Sequence, residues 1–251
     1  DQRQQIIQAA RELGMSVVPE GGSLYHHNMS MLVDGHTTIE HSVPVAVMYD
    51  DALQLWSQTQ TAYNPTLVVS FGGAWGEMHW YETTDVWKDP ILSQYVPRPL
   101  LDSVARRPTK VPVEELNHIN VAREATKLNN LGIDVQIGAH GQREGLGSHW
   151  DMWMYHQGGM EPMKVLATGT INGARALGMD RDVGSLEVGK LADLVVLDAN
   201  PLENIRNTRE ISATMLNGRL YDNRMNEVGG AARKPFWFEA TEGQSPAHST
   251  Q

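Results

Sequence analysis

Apolar and polar positions along this chain switch repeatedly between helical and extended spacing. In residues 2–13, Ile6, Ile7, Ala10 and Leu13 recur at helical intervals, which predicts a helix, and Gly14 suits the left-handed residue just past its end. Residues 15–19 read as a short apolar strand. A shorter helix is expected around 28–33, stopped by Gly35, and a strand at 37–40. Residues 47–58 are helical by pattern. Within 62–70, the run Thr66-Leu67-Val68-Val69 is rich in β-branched residues and reads as strand. A long segment, 71–112, reads as a loop that carries Trp75, Trp80, Trp87 and several prolines. Residues 113–131 form the clearest helical pattern, ended by Gly132, and 133–138 read as strand. Pro162 occupies a first helical position. From there Met163, Leu166, Ala167, Thr170, Ile171, Ala174 and Leu177 line one face as far as Gly178.

Strands separated by helices predict a parallel sheet, because parallel neighbours need a crossover. Four such units begin near Met15, Thr37, Ala62 and Ile133. By pattern alone they make either half of an eight-stranded barrel or a small open α/β sheet. The pattern changes after residue 178. Gly184-Ser185-Leu186-Glu187-Val188-Gly189 is turn-rich, 191–197 and 211–216 read as strands, and Asn217-Gly218 is a hairpin signal. Beyond Asn226 the chain reads as a loosely ordered tail, apart from the apolar Pro235-Phe236-Trp237-Phe238.

Composition narrows the chemistry. The 251 residues carry 20 basic and 30 acidic side chains, a formal net charge of −10, which leaves no basic stripe for nucleic acid. There is no cysteine, so any metal must be held by His, Asp or Glu. No apolar run approaches the roughly 18–20 residues of a membrane span. The chain opens directly into a helical pattern at Asp1 with no signal peptide, which reads as a cut within a longer protein.

Polar residues at the C-terminal ends of parallel strands are the candidates for chemistry. Glu20, His41, Asn64 and His140 meet that test. His41 is either a metal ligand or a histidine hydrogen-bonded inside the sheet. His140 lies in Gly138-Ala139-His140-Gly141, where small neighbours permit close approach to a site. His26 and His27 read as loop residues. His149 and His156 flank Trp150, Trp153 and Tyr155, a cluster that reads as packing or as the mouth of a pocket. His36 and His118 read as structural, and His79 sits in the Trp-rich segment.

Several of these segments resemble the amidohydrolase superfamily of metal-dependent hydrolases. The likeness is carried by Gly158-Gly159-Met160-Glu161-Pro162, Ala167-Thr168-Gly169-Thr170-Ile171-Asn172-Gly173-Ala174, Gly184 to Leu197 and Asn217-Gly218-Arg219. Asp34-Gly35-His36-Thr37-Thr38-Ile39-Glu40-His41 is similar to that superfamily's sixth-strand motif, which ends in a metal-binding His. Pro19-Glu20-Gly21-Gly22 and Gly138-Ala139-His140-Gly141-Gln142 resemble a bacterial subgroup with a TolB-like β-propeller ahead of the catalytic domain. That likeness implies a bacterial, periplasmic protein. Two positions depart from the common pattern. Glu20 stands about where the fifth strand normally ends in a metal-binding His. His140 stands where the eighth strand normally ends in an Asp that binds metal and acts as base. A histidine's ordinary pKa of about 6.5 suits either task.

The resemblance implies the C-terminal half of a TIM-like (β/α)8 barrel over 1–178, a segment of a composite β-sandwich domain over 179–225, and a tail over 226–251. It implies a divalent metal, with zinc expected, bound by His41 and His140. His140 and Glu20 would be the catalytic pair, and Trp75, His79 and Trp80 would face substrate. The implied reaction is hydrolysis of a carbon–nitrogen bond in a small non-peptide amide or cyclic amide. A dipeptidase, or a non-catalytic interaction module without a complete metal site, is the alternative. The remaining metal-binding histidines would lie upstream of Asp1, so the expected partner is the upstream half of the same protein or an oligomer mate. Neither nucleic acid nor membrane is expected.

Overall fold

A ladder of parallel chain segments organises the first two thirds of the protein, as seen in a computed structural model that describes residues 2–234. Helix α1 (Gln2–Glu12) leads into an extended stretch at 15–20. Helix α2 (Tyr25–Asp34) ends on Gly35, which takes the left-handed backbone (φ 87°) needed to close the helix by a cap. Strand β1 (Thr38–Glu40), helix α3 (Asp50–Ser57) and strand β2 (Ala62–Asn64) follow, and β1 pairs parallel with β2. The 15–20 stretch runs beside β1: the Thr37 amide donates to the Val17 carbonyl at 2.9 Å, and Glu20 bridges Glu40 in parallel sense. On the other side the Tyr63 amide donates to the Asp134 carbonyl and the Gln136 amide to the Tyr63 carbonyl, both at 2.9 Å. The order is therefore 15–20, β1, β2, 133–138, the four units expected from the pattern, although only the inner two hold regular strand geometry.

Burial explains this order. Ile39, Tyr63 and Val135 lie side by side across the ladder and are wholly buried. Trp56 of α3 packs edge-on against Tyr63, ring centroids 4.8 Å apart, and its indole N–H donates to the Thr61 carbonyl. Helix α7 (His118–Asn130) adds Val121, Ala122, Ala125 and Leu128 to the same core, the last three at a spacing of three residues that keeps them on one side of the helix.

Three expectations are corrected. The run 66–69 is not a strand: Leu67–Val69 is a 3₁₀ turn. Pro65 offers no amide to continue the ladder, Thr66 takes a positive φ of 50°, and the Val68 amide is captured by buried Asp151. The Trp-rich segment is not one long loop. It folds into α4 (Glu77–Thr83), α5 (Leu92–Tyr95) and α6 (Arg98–Ala105). The helix expected over 162–177 divides into α9 (Pro162–Thr168) and α10 (Ile171–Ala176), after an unanticipated α8 (Gly147–Gln157). At the division the Thr168 and Thr170 hydroxyls donate to the carbonyls of Val165 and Leu166. Side-chain donors of this kind compete with the helix ladder.

After α10 the chain builds a separate three-stranded antiparallel sheet from β3 (Leu194–Leu197), β4 (Ile211–Leu216) and β5 (Arg219–Asp222), in that order. The β4–β5 hairpin turns on Asn217 and Gly218, with φ 48° and 77°. Two successive positive φ values suit the right-handed twist of the flanking strands. Pro235-Phe236-Trp237-Phe238 and the rest of the expected tail beyond 234 lie outside the described residues.

Candidate functional site

Parallel strands deliver their C-terminal ends to one edge, and here that edge gathers an acid and two imidazoles. Glu20 and Asn64 lie in register with Glu40 on either side of it, and His41 is the next residue of that strand. Glu20 Oε1 stands 3.6 Å from His41 Nε2. The rings of His41 and His140 meet edge to face with centroids 5.2 Å apart. Just below, Asn64 donates to Glu40 Oε2 at 2.6 Å and the Thr38 hydroxyl to Oε1 at 2.6 Å, so the Glu40 carboxylate is turned toward the ladder. Glu20, His41 and His140, singled out from sequence, are thus brought together.

Both histidines sit in left-handed backbone, φ 66° at His41 and φ 54° at His140. A non-glycine residue adopts this region only where surrounding structure imposes it, commonly at functional sites. The constraints are visible. Beyond His41, the Val43 amide donates to the Tyr63 hydroxyl at 3.0 Å and the Ser42 hydroxyl accepts the Phe71 amide at 2.7 Å. Before His140, the Gly138 amide donates to Asp151 Oδ2 at 2.9 Å, and the Gln142 amide donates back to the Ala139 carbonyl at 3.1 Å.

Asp151, on α8, was not singled out from sequence, yet it organises this edge. It is fully buried and accepts the amides of Val68 and Gly138, tying the 3₁₀ turn after β2 to the strand end before His140. Burial pushes its pKa up to about 6, against the lowering effect of the backbone donors. Glu77 was also missed, as was the role of Gln142 within the Gly138 to Gln142 motif. Gln142 reaches from His140, at 3.0 Å, to buried Glu77, at 3.2 Å. Burial raises the Glu77 pKa, while the Gln142 hydrogen bond and the Arg143 charge lower it. Asp151 and Glu77 carry no local signal, because Asp151 to Val68 and Glu77 to Gln142 are tertiary contacts, whereas Gln142 stands two residues from His140 within the Gly138 to Gln142 stretch.

The three residues expected to face substrate separate. Trp75 is half exposed. Trp80 is fully buried, stacked near Trp150 and edge-on to Trp153, so it is a core residue rather than a surface offered to a ligand. His79 is partly buried against His118, ring centroids 5.4 Å apart, with Gln157 contacting both. Burial lowers the His118 pKa to about 4, with the His79 charge acting in the same direction. The cluster around Trp150, Trp153 and Tyr155 is packing. His149 there pairs with the Thr208 hydroxyl, and its pKa is lowered to about 4, first by burial and then by Arg209.

The donor set at the edge has the chemistry of a metal site but is partial. His41 Nδ1 is buried without a hydrogen-bond partner, as is Asn64 Oδ1. An orphaned buried nitrogen on an imidazole calls for an ion, a water or another group to satisfy it. Among the described residues, however, no three or more His, Cys, Asp or Glu side chains are arranged to hold a metal ion. His41 and His140 fit as part of a ligand set, not as a whole one. Cavities of about 520 and 390 Å³ lie elsewhere, against α6 and between α8 and residues 204–210, and none of these three residues lines either.

Residues 110–221 match the family model described as the amidohydrolase family, a span that holds His140 but neither Glu20 nor His41. An imidazolonepropionase from Symbiobacterium thermophilum is 62% identical over 39 residues, covering 16% of this chain and 9% of that protein. An S-triazine hydrolase from Gordonia rubripertincta is 39% identical over 67 residues, covering 27% of this chain and 14% of that protein. A solved Xaa-Pro dipeptidase with methionine bound in its active site superposes with a TM-score of 0.61 at 23% identity, over 88% of this chain and 48% of that one. That likeness is one of fold. The chain spans about half the length of the solved neighbour and a smaller share of the curated relatives. No helix among the described residues is long and apolar enough to cross a membrane.

Proposed function

We propose that this chain supplies part of the active site of a metal-dependent hydrolase of the amidohydrolase superfamily, acting on carbon–nitrogen bonds of non-peptide amides or cyclic amides. One observation carries the reading. Glu20, His41 and His140 come from three different parallel segments and meet at one strand edge, the imidazoles 5.2 Å apart and each held in left-handed backbone. The names of the curated relatives, an imidazolonepropionase and an S-triazine hydrolase, favour a non-peptide substrate. The peptidase alternative draws on a neighbour whose 23% identity bears on backbone alone.

In this reading residues 1–178 form the later half of a β/α barrel, 179–225 belong to a β-sandwich, and the ladder's open flanks receive the rest of the barrel. His41 and His140 would be ligands of a divalent ion, zinc for this nitrogen and oxygen donor set, with the further donors supplied from outside residues 2–234. The bound ion would polarise the substrate carbonyl and bring the pKa of water toward neutrality. The chain's own residues do the rest. Glu20 faces His41 Nε2 at 3.6 Å, where closing to hydrogen-bond distance would let it orient that ring, as a carboxylate commonly does behind a ligating histidine. His140 binds beside it or takes the proton from the attacking water. Trp75 is the exposed aromatic available to cover a substrate.

The test is hydrolysis by the protein as isolated, supplied with zinc, across cyclic amides, linear amides and dipeptides. Turnover of the amides is expected, with a loss of about 10²- to 10⁴-fold in His140→Ala. Turnover confined to dipeptides would establish the alternative. Full activity in His41→Ala and His140→Ala would overturn the site.

A further inference from the structure

We propose that Gln142 is a positioning residue which, held by Glu77, fixes the His140 imidazole with its proton on Nδ1 and leaves Nε2 free as donor to metal or proton. The proposal rests on the reading of His140 as the working group of the site. Gln142 Oε1 lies 3.0 Å from His140 Nδ1, and Gln142 Nε2 donates to Glu77 Oε1 at 3.2 Å. The two ends of a primary amide differ: the nitrogen only donates and the oxygen only accepts. An ionised carboxylate only accepts. Glu77 therefore takes the NH₂ end of Gln142 and turns the carbonyl end toward His140. Nδ1 must then be the donor, and in a neutral imidazole the proton on one nitrogen leaves a lone pair on the other.

The arrangement is anchored at each step. Glu77 is buried, and Arg143 offsets its charge. Arg143 is itself buried and fixed by donating from Nε to the Tyr81 hydroxyl at 3.0 Å. At the other end, His140 and Gly141 take successive positive φ values, 54° and 71°, and the Gln142 amide closes the turn on the Ala139 carbonyl. This turn brings the side chains of His140 and Gln142 together. A carboxylate in the place of His140 would need no such device, since its two oxygens are equivalent. A histidine does, because the wrong tautomer presents N–H where a lone pair is required.

The experiment is ¹⁵N spectroscopy of histidine-labelled full chain at pH ~8.5, above the ordinary histidine pKa of about 6.5. His140 is identified as the signal lost in His140→Ala. The expected spectrum shows a protonated Nδ1 and an unprotonated Nε2. Gln142→Met removes the acceptor and should shift His140 toward the Nε2–H form. The exchanged pair Glu77→Gln with Gln142→Glu restores a donor–acceptor chain and should return the Nδ1–H form, so the swap remains decisive if the single variant does not fold. A wild-type His140 protonated on Nε2, a tautomer indifferent to Gln142→Met, or a swap that fails to restore Nδ1–H would overturn the proposal. Hydrolysis by His140→Ala, measured separately, distinguishes the underlying reading. Undiminished activity there removes His140 from the site whatever its tautomer, whereas an inactive His140→Ala with the wrong tautomer defeats the positioning role alone.

Discussion

Asp151 bears more of the site's geometry than any residue the sequence pattern marks. Its two oxygens accept the Val68 and Gly138 amides from two separate segments. Removing both acceptors in Asp151→Ala leaves two buried N–H groups unpaired and should cost at least about 2 kcal/mol of unfolding free energy by urea denaturation. The pH dependence has a definite sign. Burial raises the folded pKa to about 6 from 3.8, so the folded carboxyl holds its proton more tightly than the unfolded one. Stability from this group is full below pH ~4 and is lost as pH rises through about 6, a change on the order of 3 kcal/mol. Urea titrations of wild type and Asp151→Asn at several pH values should converge or cross over that interval. Parallel curves would show that Asp151 does not titrate there. His41 and His140 were visible from sequence because each ends a strand pattern with a residue that binds metals. Asp151 was not, because an aspartate among Trp150, Met152 and Trp153 acquires its role only when the 3₁₀ turn and the strand end pack on it.

Elements whose signals are local were legible, and those set by tertiary contacts were not. Asn217-Gly218, Pro162 at the start of α9, and Gly14, Gly35, Gly132 and Gly178 after their helices all express backbone geometry that one or two residues dictate, and each takes the expected place. The ladder order was legible too, because the apolar stretches at 15, 37, 62 and 133 alternate with helices. Helix α8 was missed: Gly147, Trp150, Asp151, Trp153, Met154 and Tyr155 are all buried, so apolar and polar residues face inward together and no clean amphipathic stripe appears. Residues 66–69 have strand propensity that Pro65 and Asp151 override. The contact of α7 with α8 depends on Gly158, whose missing Cβ leaves room for Ala122 and the backbone amide of Arg123. Its φ of −77° is ordinary, so the requirement is one of space. Gly158→Ala should therefore destabilise the fold by about 1–3 kcal/mol, read as a fall in urea midpoint. An unchanged midpoint would mean that the two helices part without cost.

At the scale of the whole molecule the ladder has two flanks. Neither the 15–20 stretch nor the 133–138 stretch pairs with a further strand among the described residues. Met15 and Val18 on the first flank, with Ile6 of the preceding helix and Leu13 just past its end, are large apolar side chains left exposed. Unpaired edges bordered by apolar surface invite another chain. Size-exclusion chromatography with light scattering should find this chain associated, with a second copy or with a separate barrel segment. A cooperatively folding monomer would contradict the half-barrel arrangement. The central claim, that Glu20, His41 and His140 form part of a metal site, is tested most directly by calorimetric titration of zinc into the protein as isolated, alongside His41→Ala and His140→Ala. The account predicts that each substitution weakens zinc binding by at least about tenfold, or 1.4 kcal/mol. Equal affinity in all three proteins would contradict it.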